Sequence, residues 1–137
     1  MNALAAPATL LARILISAIF VGSVLNDIPK FDTLVGMMED EGVPAASFLL
    51  VAAIAFKLAG GLSVIAGFQA RLGAALLLIF LIPATYYFHD FWTFQDAQEA
   101  AAQQIHFMKN LGLMGATLFI LANGPGPWSL DAKQRRT

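Results

Sequence analysis

Residues 111–122 carry no charged side chain, and the run is entered through His106, Lys109 and Asn110. A Gly-Pro-Gly-Pro sequence at 124–127 stops it, and Trp128 and several cations follow. Hydrocarbon leaves backbone polar groups no partner outside their own segment, so an apolar run of this kind is confined to a helix. A helix breaker, an aromatic and cations mark a membrane–water boundary at its end. The stretch 104–131 therefore reads as a membrane helix with a polar site at one mouth. The rest of the chain reads as what that helix packs against.

Composition points the same way. Of 137 residues, 58% are hydrophobic and 12% charged, against about 25% charged in an ordinary globular domain. A net charge of −1 leaves no basic face for nucleic acid, so no nucleic-acid partner is expected. The chain has no cysteine, which excludes thiol–disulfide chemistry, cysteine-ligated zinc and iron–sulfur clusters as activities of this chain alone.

Crossing about 30 Å of hydrocarbon takes about 20 mostly apolar residues. Four segments meet that need: 9–28, 45–68, 72–88 and 105–123. Pro44 stands where a helix can start, Pro83 is a candidate kink in the third span, and Gly124-Pro125 ends the fourth. The expectation is an all-α integral membrane four-helix bundle, one domain over 1–137. A soluble bundle fits poorly, because the segments are apolar all round instead of on one stripe. Residues 1–11 lack Lys and Arg, and Arg13 sits within the apolar run, so the first segment is read as a retained helix and not a signal peptide.

Charge in the connections sets an expected orientation. Arg71, Lys133, Arg135 and Arg136 flank one side. Asp32, Glu39, Asp40, Glu41, Asp90, Asp96 and Glu99 fall on the other, with Lys30 the one cation among them. Both termini are therefore expected to be cytoplasmic. In the first outer connection Phe31, Leu34, Val35 and Met38 have helical spacing, which predicts a short helix over 29–41 lying on the membrane. Asp96 and Glu99 have the spacing of a helix start, which extends the fourth helix outward over 95–104. Tyr86, Tyr87 and Trp92 are expected in an outer aromatic belt, Trp128 in an inner one.

Ionisable groups at membrane depth are costly and usually face the bundle interior. On the first helix Arg13, Ser17, Phe20, Val24 and Asp27 form one stripe. On the second, Lys57 shares a face with Gly60, Gly61, Val64 and Gly67, glycines that admit a close helix neighbour. On the third, Ile82, Tyr86 and His89 align. On the fourth, His106, Asn110, Leu113 and Thr117 align beside Lys109, and Gly112 and Gly115 are further candidates for helix packing. At about 1.5 Å per residue, Lys57 lies roughly 18 Å inside, and Arg13 at a comparable depth.

These positions predict two polar zones. One is an outer cluster of Asp27, His89, His106, Lys109 and Asn110. The other is a cationic middle of Arg13 and Lys57 without a counter-ion, open to a ligand or an acidic partner helix. The structural alternatives are that Arg13 snorkels toward phosphates, that Lys57 loses its proton or bonds free carbonyls, that the histidines are interfacial hydrogen-bonding groups, and that Asp27 pairs with Lys109. A metal on the two histidines with Asp90 or Glu99 lacks any tight ligand spacing, so no metal site is assigned.

Several stretches carry a family resemblance: LLARILISAIFVGSVLNDIPKF, EGVP, KLAGGLSVIAGFQARLGA, ATYYFHDFW and FMKNLGLMGATLFILANGPGPWSLD. The most specific combination is GGLSVIAGFQARLGA followed much later by GPGPWSLD. Across nearly its whole length the chain resembles the DoxX family of small four-helix membrane proteins. The resemblance implies a multi-pass bundle in the bacterial inner (cytoplasmic) membrane. The family is named for a small subunit of a quinone-linked sulfur oxidoreductase. Other members are linked to redox-associated membrane complexes, and distant relatives act in membrane-protein assembly. Relatives often carry Glu where this chain has Lys57, which reverses the charge there.

The expected function is a non-catalytic accessory subunit of a redox- or quinone-linked complex, with the bilayer and other membrane subunits as partners. No cofactor is expected in the chain itself, with quinone as the candidate ligand. The alternatives are a quinone-binding subunit using Lys57, and an assembly factor or scaffold. Four helices make a thin pore wall, which disfavours a transporter.

Overall fold

The computed structural model describes residues 4–134. Its helices are α1 Ala5–Asp27, α2 Phe31–Asp40, α3 Ala46–Ala66, α4 Ala70–Phe88, α5 Ala97–Asn123 and α6 Leu130–Gln134. Short 3-10 turns, Ile28–Lys30 and Phe91–Thr93, follow α1 and α4. Among the described residues there is no strand. Four helices, α1, α3, α4 and α5, are long and apolar enough to cross a membrane. In space α1 packs on α3, α3 on α4, and α4 on α5. Phe20, Val64, Leu77, Leu81 and Ile120 form a common core that draws on all four.

The span boundaries move outward where capping supports them. The fourth helix begins at Ala97, because Asp96 Oδ1 accepts from the amides of Gln98 (3.0 Å) and Glu99 (2.9 Å). The helix start expected from Asp96 and Glu99 is therefore present, and it adds polar turns to the apolar span. The third span starts at Ala70 and runs through Pro83 to Phe88.

The helix over 31–40 also forms, but its apolar side is not turned to lipid. Phe31, Leu34, Val35 and Met38 pack with Val43, Leu50, Tyr87 and Phe88. The same i, i+3, i+4, i+7 spacing fits a membrane surface or a protein surface, and the ends of α3 and α4 supply the latter.

Small residues set the closest helix approach. A Cβ built on Gly60 meets the Gly73 carbonyl oxygen at 2.8 Å, one on Gly73 meets Ser63 Oγ at 2.5 Å, and one on Gly61 meets Val21 Cγ2 at 2.6 Å. Gly60 and Gly61 thus pack as expected, and Gly73 joins them. Gly67, at φ +65°, ends α3 in a Schellman-type turn, with the Phe68 amide donating to the Ser63 carbonyl at 3.1 Å. Gly112 and Gly115 are different. A Cβ on either meets nothing within 4 Å, so they do not pack within this chain. They lie on the outer face of α5, beside exposed Met108, Leu111 and Phe119.

The segment after α5 folds back as a strap. Asp131 accepts from the amides of Gln69 (2.8 Å) and Ala70 (3.0 Å), the two that open α4. Its own amide donates to the Gly67 carbonyl at 2.8 Å. Arg13 Nη2 donates to the Trp128 carbonyl, and Thr9 Oγ1 to that of Pro127 at 3.4 Å. Residues 124–134 thereby tie α1, the α3–α4 turn and α5 together at one end. Arg135 and Arg136, expected to flank that end, lie outside the described residues.

Two predictions follow from the packing. Gly60→Val should lower the thermal stability of the detergent-solubilised protein by about 1–3 kcal/mol, because a backbone carbonyl cannot yield to the added atoms. Gly112→Val should leave the midpoint of the isolated chain nearly unchanged. Thermal unfolding followed by circular dichroism compares the two.

Candidate functional site

A cleft of about 500 Å³ opens at the end opposite the strap, between α1, α2, α3, α4 and α5. Its walls are mainly apolar, with Phe20, Leu50, Phe56, Phe80 and Tyr87 among them. Asp27, Lys57, His89, Lys109 and Asn110 also line it. Four of the five residues expected in an outer cluster therefore share one cavity, and Lys57 joins them.

The expectation of a cationic middle without a counter-ion is overturned. Lys57 Nζ is ion-paired to Asp27 Oδ2, and the two side chains are 8% and 17% exposed. Lys57 Nζ also lies 5.2 Å from the centre of the Phe80 ring, a cation–π contact. The helix levels explain the miss. Arg13 lies beside Gly67 at the strap end. From there α1 climbs about 21 Å to Asp27, while α3 climbs about 15 Å to Lys57. The difference of about 6 Å is the reach of an extended lysine. Because α1 stops below the start of α3 and α2 closes over it, Asp27 is an interior residue and not one at the mouth.

Arg13 and Lys57 therefore do not form one zone. Arg13 is 2% exposed and belongs to the strap end. Its Nε and Nη1, and Ser17 Oγ one turn on, have no hydrogen-bond partner among the described residues. The stripe itself is correct, since Arg13, Ser17, Phe20 and Val24 are the buried residues of α1. The alternative Asp27–Lys109 pair does not form, because Lys57 holds Asp27.

The remaining groups gather at the mouth. The His89 and His106 rings stack at 5.3 Å between centroids, 26° from parallel. Lys109 Nζ is 3.2 Å from His106 Nδ1. An ammonium only donates, so Nδ1 accepts and the neutral His106 carries its proton on Nε2. His89 Nδ1 lies 2.8 Å from Gln103 Oε1, an acceptor, so His89 donates from Nδ1. Among the described residues no three His, Asp or Glu side chains converge as metal ligands. Asp90 opens instead onto a small separate cleft with Glu41, Tyr86 and Trp92.

Asn110 is buried, and its Nδ2 donates to Thr85 Oγ1 at 3.0 Å, while Thr85 Oγ1 donates to the Leu81 carbonyl at 2.7 Å. This chain links α4 to α5 at the cleft floor. Sequence reasoning passed over Thr85 and Phe80. The signal for Thr85 was its place one turn before His89. The alignment of Ile82, Tyr86 and His89 proves uninformative, since Ile82 and Tyr86 are more than half exposed. Tyr86, Trp92 and Trp128 are exposed, as belt residues are, whereas Tyr87 turns into the cleft.

The DoxX family model matches residues 8–90, from α1 through the end of α4. The chain belongs to the DoxX family. Inner membrane protein YqjF of Escherichia coli is 31% identical over 122 residues, covering 89% of this chain and 88% of that protein. Inner membrane protein YphA of the same organism is 27% identical over 124 residues, covering 90% and 88%. A Surfeit locus protein 4 homolog of Schizosaccharomyces pombe is 29% identical over 73 residues, 53% of this chain and 24% of that protein. No solved structure matches the chain. With four helices able to span, this DoxX-family chain is a multi-pass inner-membrane protein. The family match contains the Asp27–Lys57 pair and His89, whereas His106 and Lys109 lie beyond it.

Removing one member of a buried pair strands the other charge, which costs roughly 3–5 kcal/mol. Asp27→Asn should therefore lower the melting midpoint of the detergent-solubilised protein sharply. The double variant Asp27→Asn, Lys57→Met should recover most of the loss, as a thermal-melt cycle of the four proteins will show.

Proposed function

We propose that this DoxX-family chain is a non-catalytic subunit of a quinone-linked inner-membrane complex and that it holds the quinone in the cleft beside Lys57. The observation that carries the reading is an apolar cleft of about 500 Å³ with one buried, ion-paired lysine in its wall. A quinone is an apolar body with hydrogen-bond-accepting carbonyls, and small-molecule sites combine apolar walls with a few placed polar groups. The lysine ammonium has three N–H donors. Asp27 takes one and the Phe80 face draws the cation, which leaves a donor for a carbonyl oxygen. The Asp27 carboxylate holds the lysine Nζ in place at the cleft wall. Bound there, a quinone supplies two-electron redox chemistry, and a partner subunit supplies the electrons.

A second observation supports the partner. Gly112 and Gly115 stand open on α5, and small residues allow a neighbouring transmembrane helix to approach closely. The acidic connections suit an outward-facing mouth, with both termini cytoplasmic.

A short-tailed ubiquinone analogue titrated into the purified protein tests the cleft. The neutral double variant Asp27→Asn, Lys57→Met should bind it at least about tenfold more weakly, about 1.4 kcal/mol. Ala53→Phe, which fills the cleft, should abolish binding. Unchanged affinity in both variants sinks the reading. Native mass spectrometry of gently extracted membranes should show a larger complex of defined stoichiometry, and Gly112→Leu with Gly115→Leu should release the chain from it.

A further inference from the structure

Resting on the cleft just described, we propose that its mouth is an oxyanion subsite, and that the cleft also takes amphiphiles whose anionic head sits on Lys109, beside His106 and His89. Lys57 and Asp27 neutralise each other deep in the cleft. At the mouth stand three basic side chains, Lys109, His106 and His89, gathered by a 3.2 Å contact and a ring stack at 5.3 Å. Among the described residues no carboxylate lies within ion-pairing distance of any of the three. Of the nearby acids, Asp27 is paired with Lys57, and Asp90 and Glu41 line the separate cleft beside Tyr86. The Lys109 ammonium, held beside two imidazoles without an acid, is a site of positive potential that draws an anion.

Geometry agrees. Lys109 directs an N–H at His106 Nδ1, which fixes the His106 proton on Nε2 and leaves two further ammonium donors free. Those two ammonium N–H groups are donors of the kind that charge-assisted bonds to carboxylate or phosphate use. His89 is oriented by Gln103 through Nδ1. Lys109 and His89 both line the apolar chamber. An oxyanion on this group therefore has apolar space directly beneath it, which a free inorganic anion does not use and an acyl chain does.

The chemistry shared by the candidate occupants is a phosphate or carboxylate oxygen. Its sources are an anionic lipid headgroup or a free anion. The full-length protein, purified in a neutral detergent, is exposed to an equimolar mixture of phosphatidylglycerol and phosphatidylcholine and examined by native mass spectrometry. The expected result is about tenfold preferential retention of phosphatidylglycerol. In the variant Lys109→Gln, His106→Gln that preference should fall to near unity, and Lys109→Arg should restore it. Both positions are exposed, so the thermal midpoint serves as the folding control. Millimolar inorganic phosphate that strips the lipid supports the oxyanion subsite with a free anion as its source. Failure of phosphate to compete supports it with a chain-anchored headgroup.

Equal retention of the two lipids by the wild type overturns the proposal. So does undiminished preference in the double variant. The quinone titration keeps the two readings apart. Wild-type protein that binds the quinone analogue and shows no lipid preference defeats the subsite alone. Protein that prefers phosphatidylglycerol and does not bind quinone defeats the quinone reading alone.

Discussion

A charge inside hydrocarbon has no water to turn to, and the bundle is arranged around that fact. Lys57 sits well down α3, where an unpaired ammonium is strongly disfavoured. The answer is Asp27, reached because α1 ends early. An early end to α1 leaves a step between the tops of α1 and α3. The helix α2 crosses that step, with Met38 packed on Leu50 and the end of α4. The space beneath is the cleft. Ion pair, short first helix, covering helix and cavity are thus one solution to a single electrostatic problem. The pair also makes Lys57 a fixed donor in an apolar chamber.

The other end of the bundle solves a different problem. Helix starts leave backbone amides without partners, and the tight turn at Gly67 brings the start of α4 to the strap end, where Arg13 lies. The Asp131 carboxylate satisfies the Gln69 and Ala70 amides. Arg13 reaches the Trp128 carbonyl from the opposite side. Between the strap and the ion pair, α1 is pinned to α3 at two levels. The close approach at Gly60, Gly61 and Gly73 holds the helices between those pins.

The sequence displayed some of this and concealed the rest for physical reasons. The four spans were legible because hydrocarbon thickness sets a length that only about 20 apolar residues satisfy. The Asp96 cap was legible because an N-cap is local. The Arg13–Val24 stripe was legible because helical periodicity is local as well. The partner of Lys57 was not, because it depends on how far α1 is offset along α3, and no spacing within either helix encodes an offset between them. The glycines show the same limit. Gly60 and Gly112 look alike in sequence, yet one meets a carbonyl and the other meets open space. The covering role of α2 was hidden because an amphipathic helix shows only that it has an apolar face, not what covers that face. Segment 124–134 read as a stop and a tail. Its function as a cap rests on one aspartate that meets α4 only after the chain has turned back.

The cap also carries a consequence for the order of assembly. During synthesis the α3–α4 hairpin can enter the membrane as soon as it emerges, with its turn at the aqueous boundary. Its first amides must then be hydrated until α5 has been made and the strap has turned back onto them. Only at that moment does Arg13, translated long before, find the Trp128 carbonyl. A chain interrupted between α5 and α6 would thus present a complete set of spans with an open seam at one end.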